Sequence, residues 1–287
     1  MSYAAFQTLV APARRSAPLW RLVVGISLVV AIYFLCLSAW FFAEMFLGAA
    51  VSSGLGRSPV SVVGLLFSFV CIYPGLWLAV RILHRRPLRT LFGPAAALRR
   101  DAGRTILAAL CVFVLALALP GPGTPEIVPN LPFDRWLGWL PLGLVALAVQ
   151  ITAEELVFRG YIQSQLAARF NSPWVWMVLP AVTFGALHYN PAEAGANAIW
   201  MLVPAVLFGI VAADLTARAG NLGPALALHL LNNFASIFIL APGDMMSGLA
   251  LWRMPVSVSD PVILEQLPTE ALVLFILWLT VRLAIRK

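Results

Sequence analysis

Eight apolar runs, at about residues 19–43, 60–83, 105–120, 136–167, 174–189, 198–213, 224–240 and 269–284, alternate with polar turns along the 287-residue chain. A helix needs about 20 apolar residues to cross a bilayer, so the pattern predicts an all-α, polytopic membrane protein of about eight transmembrane helices. Turn residues mark the boundaries. A Ser/Gly-rich stretch from Ser52 to Pro59 opens the second run, Pro120-Gly121-Pro122-Gly123 stops the third, and Asn171-Ser172-Pro173 caps the fifth. Gly220-Asn221-Leu222-Gly223-Pro224 makes a tight turn into the seventh. Pro74 and Pro180 fall inside runs, where a membrane helix accepts proline as a kink. The fourth run is longer than one span, so it tilts or emerges as an amphipathic end around Gln163, Gln165 and Arg169. Residues 1–18 read as a short polar lead, and the first run is too long for a signal-peptide core of about 7 to 15 residues.

Composition agrees. The chain is 61% hydrophobic and 11% charged, with a mean hydropathy of +0.91, whereas soluble domains are roughly 25% charged. A net charge of +7 would fit nucleic acid, but the basic residues sit between apolar runs, where they act as topology determinants beside anionic lipid. Membrane lipid is therefore an expected partner and nucleic acid is not. The most basic loop, 81–104, holds Arg81, Arg85, Arg86, Arg89, Arg99, Arg100 and Arg104, and the positive-inside rule places it in the cytoplasm. Cytoplasmic termini then leave only Arg57, Arg135 and Arg253, three of the 19 basic residues, on the outer side. The expected location is multi-pass in an inner or cell membrane. Three regions follow: N-terminal spans at 1–135, a core at 136–241, and a polar outer loop with the last span at 242–287. Nothing in the sequence signals an oligomeric state.

Several polar residues have ordinary explanations. Glu44 reaches the interface at the end of the first span, His84 belongs to the solvated basic loop, and Trp136 and Trp139 are interface aromatics. Asp214 and Arg218, spaced i,i+4, form an ion pair. Cys36, Cys71 and Cys111 fall in different apolar runs and read as small buried residues without disulfides.

The chemistry concentrates at Glu154-Glu155-Leu156-Val157-Phe158-Arg159, which puts three ionisable groups inside an apolar run. Each charge there costs roughly 2.5 to 3.5 kcal/mol on insertion scales, which makes such groups candidates for function. Residues four apart share a helix face, so Glu155 pairs with Arg159 while Glu154 is left without a local cation. Elsewhere in the apolar runs stand His188 and, again at i,i+4, His229 with Asn233, beside Asn232. One buried polar cluster would satisfy them all. It could activate water through a carboxylate and histidine while His229 and Asn233 bind an oxyanion, or hold a metal through two histidines and a glutamate.

Glu154-Glu155-x-x-x-Arg159, Phe184-x-x-x-His188 and His229-x-x-x-Asn233 together resemble the three motifs of the CPBP family of intramembrane proteases. That family groups CaaX prenyl-protein endopeptidases with bacteriocin-processing and abortive-infection proteins. The resemblance covers about residues 140–240 and implies a peptide or protein substrate, lipidated or not. It implies Glu154 as the base that activates water, assisted by His188, with His229 and Asn233 stabilising the oxyanion. Glu155, Arg159 and Phe184 take supporting roles. No metal or cofactor is expected, because His-Glu-x-x-His is absent and asparagine replaces a second histidine in the last motif; zinc on the same residues is the alternative. A non-catalytic immunity or partner protein is the rival of a different class. One difficulty is topological: His188 lies late in the fifth run, toward the outside, and reaches Glu154 only if that span is tilted or broken at Pro180.

Overall fold

The computed structural model describes residues 3–46, 56–118 and 126–286. Each apolar run becomes a helical rod. After the N-terminal helix α1 (Gln7–Arg14) come α2 (Leu19–Phe46), α3 (Pro59–Leu83), α4 (Ala95–Ala118) and α5 (Phe133–Arg169). Then follow α6 (Trp174–Ala186), α7 (Ala198–Ala219), α8 (Gly223–Ile239) and α9 (Leu267–Ala284). Among the described residues five segments are long and apolar enough to cross a membrane: Leu19–Phe42, Pro59–Leu83, Phe133–Arg169, Pro191–Ala219 and Pro261–Ala284. The rods α6 and α8 are shorter. The protein is thus an all-α polytopic membrane protein, and its only sheet among the described residues is small. There β1 (Val128–Pro129) pairs antiparallel with β3 (Trp252–Arg253), and β3 pairs parallel with β2 (Leu240–Ala241).

Two of the turns form as the pattern predicts, whereas Asn171-Ser172-Pro173 precedes its helix without a side-chain capping bond. Ser58 accepts a hydrogen bond from the Ser61 amide and Ser61 answers to the Ser58 amide, which caps α3 just before Pro59. Gly220 ends α7 at φ +71°, left-handed backbone that glycine adopts without strain. A side chain there would also collide with the Ala5 carbonyl. Asn221 then takes the Gly223 amide on Oδ1 and donates Nδ2 to Asp101 Oδ2, each at 2.9 Å, so the start of α8 is tied to α4. The expected pair Asp214 and Arg218 forms at 2.9 Å. The stop at Pro120–Gly123, most of the Ser52 turn and the side chain of Glu44 lie outside the described residues.

Other expectations need correction. Residues 3–18 are not solvated throughout: α1 buries Leu9, Val10 and Ala13, and Phe6 just before it packs against Trp176, ring centres 5.1 Å apart. The Tyr3 hydroxyl donates to Asp214 at 2.8 Å. His84 is not solvated either. It is 2% exposed, with Nε2 2.8 Å from the Tyr161 hydroxyl and Nδ1 2.9 Å from Ser16 Oγ and 3.0 Å from Gln165 Nε2. Of the expected amphipathic end only Arg169 is exposed; Gln163 and Gln165 are buried, so α5 stays in the core as far as Leu166. The physical reason is common to these cases. The N-terminal helix and the basic loop fold back over the end of α5, and polar side chains that a linear reading assigns to water find partners in one another. Trp136 is likewise buried, donating Nε1 to the Phe238 carbonyl at 2.9 Å. Cys71 is buried as expected, but Cys36 is only half-buried and Cys111 is exposed on an apolar helix face. The segment 242–268 is more than a polar loop, since it supplies β3 and buries Leu249, Met254 and Val258.

Candidate active site

Both glutamates stand near the middle of α5, at the point where the α-helical ladder gives way to a π-helical stretch over Leu156–Gln163. Such stretches widen the helix, and they recur at functional sites. Arg159 NH1 donates to Glu155 Oε1 at 2.8 Å, and both side chains are buried. The guanidinium carbon sits 4.7 Å from the ring centre of Phe184, 5.6 Å from Phe208 and 5.9 Å from Phe158, an aromatic surround that offsets part of its desolvation.

His229 joins the two carboxylates. Its Nδ1 donates to Glu155 Oε1 at 2.7 Å while Nε2 lies 3.5 Å from Glu154 Oε2. A carboxylate can only accept, so Glu155 fixes the imidazole with its proton on Nδ1 and leaves Nε2 facing Glu154. The spacing argument left Glu154 without a local cation; across the helix interface its neighbour is this imidazole. Glu154 keeps 13% of its side-chain surface accessible, whereas Glu155 has none, so of the two only Glu154 is open to a small reactant.

One helical turn away, Asn233 Nδ2 donates to Gln150 Oε1 at 3.2 Å, and Asn233 Oδ1 accepts from Asn232 Nδ2 at 3.3 Å. Gln150 was absent from the sequence reading. It stands four residues before Glu154 on the same face, and that i,i+4 spacing was the signal that could have found it.

His188 is brought to the edge of this cluster but not into bonding contact with Glu154. The helix α6 holds only 13 residues, π-helical over Trp174–Val178 and α-helical after Leu179, so it ends before His188. The helix runs through Pro180 without a break and ends at Ala186, a rise of about 20 Å over its 13 residues, so His188 lies just beyond its end. His188 Nδ1 donates to the Phe184 carbonyl at 3.0 Å, the contact that in a neutral ring assigns the lone pair to Nε2. Phe184 touches both histidines, with ring centres 4.9 Å from His188 and 6.1 Å from His229. His188 is exposed, and among the described residues no hydrogen bond or ion pair links it to Glu154. No group of three His, Cys, Asp or Glu side chains converges to hold a metal ion among those residues.

The fold and this cluster define a polytopic helical membrane protein with carboxylate, imidazole and amide groups gathered inside its helix bundle. Residues 135–235 match the family model described as type II CAAX prenyl endopeptidase Rce1-like, and that segment contains all three motifs. The chain is also 26% identical to the uncharacterized protein YyaK of Bacillus subtilis (strain 168) over 255 residues, 84% of this chain and 85% of that protein. No solved structure matches. The resemblance to intramembrane proteases of the CAAX type therefore holds, and it falls on the helices that build the cluster.

Proposed function

We propose that the protein is an intramembrane endopeptidase that hydrolyses a peptide bond with water activated by Glu154 and assisted by His188. The observation that carries this reading is His229 held between Glu155 and Glu154, 2.7 Å and 3.5 Å away, inside the segment that resembles the protease family. Glu154 takes a proton from water as the new C–O bond forms. His188, whose neutral ring carries its lone pair on Nε2 because Nδ1 donates to the Phe184 carbonyl, is a second acceptor at the edge of the cluster. The carbonyl oxygen gains negative charge, which the amide of Asn233 can stabilise, joined by His229 Nε2 once the proton that Glu154 took from water has passed to it across 3.5 Å. Collapse of the tetrahedral intermediate returns the proton to the leaving amine. Glu155, Arg159 and Phe184 hold His229 in place and do not touch the reacting atoms in this scheme.

The proposed substrate is a peptide or protein terminus at the membrane surface, and the prenylated CaaX sequence of the matched family is the first to try. On this reading both termini lie in the cytoplasm, supported by the basic residues of the segment 81–104. Cleavage of an internally quenched prenylated CaaX peptide, with protein-terminus profiling of membranes from cells carrying wild-type or Glu154→Ala protein, tests the reading. Glu154→Ala and His188→Ala should be inert while still folded, and turnover in either sinks the mechanism. Asn233→Ala should lose about 10²-fold in kcat, the usual effect of removing one oxyanion donor. A metal-independent site keeps its activity after exhaustive treatment with a zinc chelator; loss of activity that zinc restores would favour the metalloprotease alternative. Site variants that retain a biological effect without cleavage would favour the partner-protein alternative.

A further inference from the structure

Gln150 occupies 6% of its possible exposed surface, on a membrane helix where leucine or methionine would fill the same space without burying an amide. Its one hydrogen bond among the described residues goes to Asn233. The geometry around it is regular. Glu154 on α5 faces His229 on α8 at 3.5 Å, and four residues back on α5 Gln150 faces Asn233 four residues on along α8 at 3.2 Å. Stepping backward on one helix while stepping forward on the other is the register of antiparallel neighbours, so the two contacts are successive rungs of one ladder.

On the first rung Glu155 fixes which nitrogen of His229 carries the proton. We propose that Gln150 does the corresponding work on the second rung, as a positioning residue for Asn233. Gln150 Oε1 accepts one hydrogen of the Asn233 amide, and Asn232 Nδ2 donates to the Asn233 oxygen. With the oxygen and one hydrogen committed, the amide cannot rotate or present its oxygen to the reacting carbonyl. Its second hydrogen is left as the donor for the oxyanion. This inference rests on the protease reading, in which Asn233 binds the oxyanion, and adds the residue that makes its amide donate.

The test is a double-mutant cycle on cleavage of the quenched prenylated CaaX peptide, using Gln150→Met, Asn233→Ala and the two combined in the full-length protein. Methionine conserves volume and removes the acceptor. If Gln150 acts through Asn233, Gln150→Met lowers kcat about tenfold with KM unchanged, as expected for an interaction made only in the transition state. The combined variant should then fall no further than Asn233→Ala alone, because the two losses are the same loss. A residue that merely packs gives the opposite result, with effects that multiply, or none in Gln150→Met, and either overturns the proposal while leaving the protease reading intact. Should Gln150→Met fail to fold, Gln150→Ala serves in the same cycle. If wild-type protein is as inert as Glu154→Ala, the protease reading fails and this inference fails with it.

Discussion

At Glu155 a single carboxylate oxygen serves two cations or donors at once, Arg159 at 2.8 Å and His229 at 2.7 Å, with no exposure to water. Removing either member of a buried pair leaves the other charge uncompensated, which typically costs about 3 to 5 kcal/mol, whereas removing both can be nearly neutral. Glu155→Ala and Arg159→Met should therefore each lower thermal stability strongly, and the double variant should be more stable than either alone. Thermal unfolding of the purified variants in one detergent reads this directly; three equal losses would mean that the pair is not coupled in the fold. This pairing was legible from spacing alone, because i,i+4 neighbours on a helix meet whatever surrounds them. The His229 contact was not legible, since 74 residues separate it from Glu155.

Elements meet at His84, which ties three parts of the chain. From the loop after α3 its ring bonds to Ser16, between α1 and α2, and to Tyr161 and Gln165 on α5. Gly25 on α2 makes room for this arrangement, since a side chain there would strike the Tyr161 hydroxyl. Burial, reinforced by the nearby Arg86 charge, pushes the His84 pKa down from 6.5 to about 4. The folded protein thus holds His84 neutral over a range in which the unfolded chain takes up a proton. Stability from this residue is complete above pH 6.5 and is lost as the pH falls from there to about 4. Chemical unfolding followed across that window should show the decline in wild type and less of it in His84→Gln, which stays neutral throughout; identical profiles would remove His84 from the account. A linear reading assigned His84 to the solvated loop because its neighbours in sequence are arginines. Its neighbours in space are Ser16, Tyr161 and Gln165, and those decide its state.

For the whole molecule, orientation and site are linked. A cytoplasmic basic loop implies that both ends of the chain are reachable from that side, so tags at residue 1 and residue 287 should both be cleaved by protease added to inside-out vesicles. Protection of both tags there would invert the topology, and with it the side from which a substrate terminus arrives. The helical class and the presence of the eight rods were determined by sequence, because lipid forces every backbone polar group into internal hydrogen bonds and apolar runs then mark the helices, although α4 begins at Ala95, ten residues ahead of its apolar run. The chemistry-bearing residues were also visible, as ionisable and amide groups too costly to bury without partners. Tertiary structure alone decided who those partners are. It set α5 against α8 in the register that joins Glu154 to His229 and Gln150 to Asn233. It also shortened α6, so that Phe184 and His188 come to the same cluster. Helix spacing is written locally every three or four residues, whereas the register between helices far apart in sequence depends on packing along their whole length.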